Sequence, residues 1–252
     1  MIPSGSISTV IENSIATITF SHPASNSFPS TLLQQLMNEL NKVDKNPEVA
    51  IIVLKSEGNT TFCAGASFDE LLSISTLVEG TKFFSGFANV INAMRNCSKL
   101  IVGRIQGKAV GGGVGLAAAC DYTFATQNSM VKLSEIAVGI GPFVIEPAVS
   151  RKMGKMAFAE MTLNPTEWKS ANWAKENHLF SEVFQSLDEL DIRLNEFTSE
   201  LSSYNKTALI EMKKVLWEGT ENWNQLLYER AAISGTLVLS DHAKQALQKF
   251  KK

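Results

Sequence analysis

The sequence predicts an α/β fold, a parallel-sheet core followed by an all-helical end, and three observations carry that reading. Short β-branched or continuously apolar runs alternate with amphipathic segments through the first half of the chain. Glycine-rich turns stand where strands give way to helices. Beyond Lys155 the strand signal ends and only helical spacing remains. No linker or low-complexity segment divides the 252 residues, so the core is taken as residues 1–185 and the helical end as residues 186–252.

Residues 7–11 and 15–20 are β-rich and are separated by Glu12, Asn13 and Ser14, which predicts a hairpin at the start of the sheet. HPASNSFPS (22–30) is turn chemistry ending in Ser30, the expected N-cap of a helix that presents Leu32, Leu33, Leu36, Leu40 and Val43. The apolar run 50–54 reads as a buried strand, and strand, helix, strand implies a crossover and a parallel pairing. A tight turn of small residues at 62–66, a helix over about 78–96 and a strand over 100–105 lead to GKAVGGGVGLAAACD (107–121). Strands are expected at 122–125 and 130–133. Residues 136–147 (IAVGIGPFVIEP) hold too much glycine and proline for a regular element and read as a buried loop leading into 148–153. Helices follow at 166–177, with Thr166 as cap, and at 187–203, 206–219, 222–239 and 241–252. The apolar face formed by Leu209, Met212, Val215 and Leu216 must pack on something, the core or a neighbouring subunit.

Composition narrows the class. A net charge of −2 and a pI near 6.0 supply no basic face for nucleic acid. Cys63, Cys97 and Cys120 are too few and too scattered for a disulfide framework, so a reducing cytoplasm is the expected compartment. No window reaches the roughly 18 apolar residues of a membrane span, and the amino terminus lacks the pattern of a secretion signal. His22, His178 and His242 show no metal-binding spacing, so no metal is expected.

The stretch 107–121 carries the chemistry. Its glycines allow positive φ and a close approach to a ligand, while Leu116 and Ala117 to Ala119 favour helix. A helix start presents unpaired N–H donors and a partial positive charge to an oxygen that gains negative charge. FCAGAS (62–67) is a second such turn. In a parallel sheet both turns lie at the carboxyl ends of their strands, where two converging amides would make an oxyanion hole.

FCAGASFDEL, then VGGGVGLAAACD, then LSEIAVGIG, in this order, together with HPASNSFPSTL, resemble the enoyl-CoA hydratase/isomerase family, or crotonase superfamily, over most of the chain. The resemblance implies a crotonase-like ββα spiral core that binds an acyl-CoA thioester, and a helical carboxyl-terminal region that forms a homotrimer or a hexamer. It places the oxyanion donors at Ala66 and Gly112 and the acid/base at Glu135. Ser25, Asn26 and the turn Ala64, Gly65, Ser67 and Phe68 fall near coenzyme A, with Gly111 and Phe143 also among the substrate-binding residues. The family's other glutamate position corresponds to Gly115, which holds no proton. No metal or redox cofactor is implied, coenzyme A entering only as part of the substrate.

Hydration of a 2-enoyl-CoA is the first reading of the activity and a double-bond shift the second, since single-glutamate relatives include isomerases. Phe143 stands where some relatives carry an acid, which argues against dehalogenase and dienoyl-isomerase chemistry. Glu146 is either a second acid or a carboxylate at a helix start. Cys63 reads as packing. Two rival classes remain: a dinucleotide-binding oxidoreductase, since Gly113, Gly115 and Ala118 spell GxGxxA without the later ribose-binding acid, and a non-catalytic acyl-CoA binder.

Overall fold

The structure, a computed structural model, describes residues 5–250. Strands β1 (Ser6–Glu12) and β2 (Ile15–Ser21) form the expected antiparallel hairpin. Its two-residue turn, Asn13 and Ser14, has φ of 50° and 64°, the left-handed pair that suits strand twist. Helix α1 (Ser30–Asp44) buries the five apolar residues that the periodicity marks. Ser30 is its first helical residue rather than its cap. Its N–H and hydroxyl both donate to the Glu70 carboxylate, at 2.8 and 2.7 Å, so a distant acid satisfies donors at this helix start.

Three ββα units follow. The first is β3 (Ile51–Ser56), β4 (Thr61–Cys63), α2 (Phe68–Ser73) and α3 (Leu77–Asn96). The second is β5 (Leu100–Ile105), β6 (Lys108–Val110) and α4 (Gly112–Ala119); the third is β7 (Tyr122–Thr126), β8 (Met130–Lys132) and α5 (Glu146–Leu163). The long strands make a six-stranded sheet in the order β1-β2-β3-β5-β7-β10, parallel apart from β1, where β10 is Glu182–Phe184. The short strands make a second sheet, β4-β6-β8-β9, with β9 (Lys169–Ser170) antiparallel to β8. This is the ββα spiral, and it corrects the expectation that both glycine-bearing turns follow strands of the main sheet: they follow strands of the smaller one. Gly107 permits the passage from β5 to β6, because a Cβ there would stand 2.2 Å from the Thr60 carbonyl oxygen.

Helix α7 (Leu187–Ser203) covers the outer face of the large sheet, where Leu190 and Leu194 pack on Ile51, Val53, Val102 and Phe124. With both faces buried, a continuously apolar strand such as β3 follows. The inner face meets α1, α3 and α4 around Phe20, Phe28 and Phe62.

Two local expectations are overturned. Residues 166–177 are not one helix capped by Thr166: the backbone of Lys169 pairs with Val131 at the edge of β8, and α6 (Ala171–Glu176) starts after Ser170, whose hydroxyl accepts from Trp173 N–H. Strand β10, beyond Lys155, owes its form to pairing with β7 rather than to its own sequence. Of the two partners open to the apolar face of helix α8 (Lys206–Leu216), the core is not the one it meets: Met212, Val215 and Leu216 are 52%, 54% and 44% exposed, while Lys213 is buried. The Lys213 ammonium sits 2.7 Å from Asp121 Oδ2, and Asp121 also accepts from Trp217 Nε1 and Ile101 N–H. Helix α9 (Trp223–Leu237) lies along α3, and α10 (Asp241–Phe250) folds back onto α2 and onto the 3-10 turn Ile136–Val138; the last two residues of the expected 241–252 helix lie outside the described residues. Among the described residues no helix is long and apolar enough to cross a membrane.

Candidate active site

Because β4 and β6 are parallel neighbours, the turns that leave their carboxyl ends lie side by side. Gly65 has φ +86°, and a Cβ on it would stand 2.8 Å from the Val110 carbonyl oxygen and 3.4 Å from the Gly112 nitrogen. Gly111 has φ +52°, and its missing Cβ leaves room for the Glu135 carboxylate, which would be 2.8 Å away. Gly112 faces the Phe87 ring and Gly113 the Cys63 carbonyl, each too close for a side chain. The triplet is therefore needed in full: each glycine admits a different wall. Helix α4 starts at Gly112, four residues before the helix formers of the sequence, because its first turn is fixed by these contacts.

Most amides in the two turns are spent. Gly111 N–H donates to the Lys132 carbonyl and Ser67 N–H to the Phe28 carbonyl, at 2.9 Å each. Among the described residues, Ala66 N–H and Gly112 N–H have no acceptor. Both residues line one cavity of about 200 Å³, whose other walls include Phe68, Phe84, Phe87, Pro142, Phe143 and Ile145. Gly112 stands at the N-terminus of α4, so the dipole adds to the attraction for a negative oxygen.

Glu135 lines the same cavity, just beyond β8. The residue as a whole is half-buried, but its Oε2 is shut from solvent and has no hydrogen-bond partner. Burial pushes its carboxyl up to about 7, against the lowering effect of the Glu135 and Ser134 backbone amides. The structure thus brings Ala66, Gly112 and Glu135 together, with Ala64, Gly65, Phe68, Gly111 and Phe143 around them.

At two further positions the structure gives the physical reason for what the sequence reads or leaves open. A Cβ on Gly115 would stand 2.4 Å from Ile145 Cγ2, so the place of a second acid is not merely vacant in the sequence but filled by a side chain from the loop before α5. Glu146 lies outside the cavity. It is buried at the start of α5, accepts from Ser150 Oγ at 2.7 Å, pairs with Lys155 and has Arg230 at 3.8 Å, which assigns it to the helix start rather than to proton transfer.

A second cavity, open beside the first and sharing Ala64, Ala66 and Phe68 with it, is lined by His22, Ser25, Ser67 and Asp69. Asn26 is absent from it. Its Nδ2 donates to the Glu57 and Thr61 carbonyls at 2.8 and 2.9 Å and its Oδ1 accepts from His22 N–H, so the side chain braces the loop. Ser67 caps α2 through its hydroxyl. Cys63 is buried, and its thiol, pushed up to about 12 by burial, is packing rather than nucleophile. A pyrophosphate on the glycine turn would meet the Glu135 carboxylate, which weighs against a dinucleotide site. Sequence reasoning missed Ile145, Phe87 and Ser234 as cavity walls. The small pair Ser234-Gly235 inside a helical pattern is the one signal that could have drawn attention to α9.

Comparison with known proteins gives the family and the fold. The family model described as enoyl-CoA hydratase/isomerase matches residues 10–252. The peroxisomal Delta(3,5)-Delta(2,4)-dienoyl-CoA isomerase of Arabidopsis thaliana is 26% identical over 224 residues, 82% of this chain and 79% of that protein. The short-chain-enoyl-CoA hydratase of Clostridium acetobutylicum is 29% identical over 132 residues, 52% of this chain and 50% of that one. The crystal structure of an enoyl-CoA hydratase from Bacillus halodurans superposes with a TM-score of 0.90 at 21% identity, covering 96% of this chain and 99% of that one. The family match and the ββα spiral together define the class. The chain belongs to the enoyl-CoA hydratase/isomerase family, the crotonase superfamily, whose members are enzymes named for hydratase, isomerase and hydrolase activities.

Proposed function

We propose that the protein binds an acyl-CoA thioester and moves a double bond between the 3-enoyl and 2-enoyl positions, with Glu135 as the single proton carrier. The observation that carries this choice is Ile145 packed against Gly115, which leaves Glu135, among the described residues, as the one carboxylate lining the cavity. The ionised Glu135 takes a proton from C2 of a 3-enoyl thioester. The amides of Ala66 and Gly112 hold the dienolate oxygen that results, each such donor being commonly worth about 3 kcal/mol of barrier. Glu135 then returns the proton to C4, and the double bond is left between C2 and C3. A buried carboxyl near 7 is suited to this, since it gives and takes a proton with little change in free energy. Largely apolar walls keep water away from the dienolate.

Hydration of a 2-enoyl-CoA is the second reading, favoured by Ser134, which lines the cavity beside Glu135 and offers a hydroxyl to hold water. Incubation with paired 2-enoyl and 3-enoyl thioesters, followed by mass analysis, separates the two. An isobaric product with the double bond moved supports isomerisation, and a gain of water supports hydration. Glu135→Gln is expected to keep acyl-CoA binding within a few fold and to lower turnover about a thousandfold; an unchanged rate removes Glu135 from the mechanism.

A further inference from the structure

The wall of the cavity supplied by the helical end holds a hydroxyl that the proton-transfer chemistry does not use. Ser234, on α9, is 1% exposed and lines the cavity with Glu135 and Phe143. Among the described residues its hydroxyl makes one hydrogen bond, to the Gly141 carbonyl at 3.5 Å, the outer limit of such a contact, so the group is close to unpartnered in an apolar setting. Its position is fixed. A Cβ on Gly80 of α3 would meet the carbonyl oxygen of Gly235 at 2.8 Å, and one on Gly235 would meet the Thr81 nitrogen at 2.6 Å, so α9 cannot shift without breaking its crossing with α3. A buried hydroxyl held rigidly against a pocket, with its own bond stretched, has capacity to spare for a ligand atom.

We infer that Ser234 selects the acyl chain: the cavity takes chains carrying a neutral hydrogen-bonding substituent, a hydroxyl or carbonyl oxygen, that reaches Ser234 Oγ. The inference rests on the acyl-thioester reading above. A carboxylate at that end is not favoured. The one cation among the lining residues, Lys132, has its ammonium 4.4 Å over the ring of Trp168, which is not a wall of the cavity. Burying a charge against a neutral hydroxyl alone costs more than the bond returns.

The test pairs short 3-enoyl-CoA thioesters with their ω-hydroxy counterparts, in which a hydroxyl replaces the terminal methyl, and adds ω-carboxy chains of the same lengths. At the length that reaches Ser234, Ser234→Ala is expected to lower the ω-hydroxy to methyl ratio of kcat/KM about tenfold, through the hydroxy substrate alone. Each pair is its own control, because a general loss of packing would lower both members together. A ratio unchanged within twofold at every length overturns the inference, as does a preference for the ω-carboxy chain. The same ratios read from the dissociation constants of saturated acyl-CoA pairs keep Ser234 testable if no turnover is found, a result that would count against the proposed chemistry and not against the binding of the chain.

Discussion

At the scale of single residues the site depends on an uncomfortable carboxylate. Glu135 has its acid form favoured by burial, at about 7 against 4.5 for a free glutamate. Because the folded value is the higher one, the unfolded chain gives up its proton first as pH rises. Stability from this group therefore falls between about 4.5 and 7 and is flat above, a loss of roughly 3 kcal/mol by linkage. Glu135→Gln should be more stable than the parent by up to that amount in denaturant titrations at pH 9 and equal to it near pH 4, and equal stability at both would mean that the carboxylate is solvated. Turnover that needs the ionised base should rise with pH through about 7, read as an acid limb in kcat/KM. Gly115→Ala should cost about 1–3 kcal/mol by overpacking. Ile145→Ala added to it should restore only part, because the Ile145 Cβ would still stand 2.7 Å from the new methyl. The glycines and Glu135 were legible because their motifs are local. Ile145 was not, since nothing in the residues between tells which side chain closes over Gly115.

Elements show the same division. The β1–β2 hairpin, α1, α3, β5 and α7 follow from periodicity, and the structure adds a cap that the sequence analysis did not use, the box where the Thr76 hydroxyl accepts from Glu79 N–H and the Glu79 carboxylate from Thr76 N–H. Strands β4, β9 and β10 are two or three residues long and are held by their partners, so their sequences carry little signal. Helix α8 misleads for a different reason: a lysine reads as exposed, yet Lys213 is the residue it buries, against Asp121. Lys213→Ala should cost about 3–5 kcal/mol, because it strands a buried carboxylate. Lys213→Met with Asp121→Asn should recover most of the loss. A cost below about 1 kcal/mol for the single change, measured by chemical unfolding, would put the pair in solvent.

For the whole molecule, the rotation of α8 leaves Met212 and Val215 on the surface, and Met156 and Leu163 on α5 are 81% and 72% exposed. The two helices are neighbours, joined by Arg151, which donates to the Leu216 carbonyl and covers the Trp217 ring. A trimer, the assembly that the family resemblance implies, would cover exposed apolar side chains of this kind. Light scattering is expected to give three times the chain mass of 27.5 kDa, and Met212→Glu with Val215→Glu to lower it; a monomeric parent would refute this. Assembly is the scale least legible in the sequence, since an apolar stripe does not say whether it turns inward or outward.

The packing of α10 has a consequence for how the protein is made. Gly139, with φ +77°, lets the turn after Glu135 press on Ala243 and His242, within 2.9 Å of where its Cβ would be. A ribosome delivers Ala66, Gly112 and Glu135 long before it delivers α10. Until α10 emerges, the nascent chain holds all three residues and lacks the helix on which the turn after Glu135 packs.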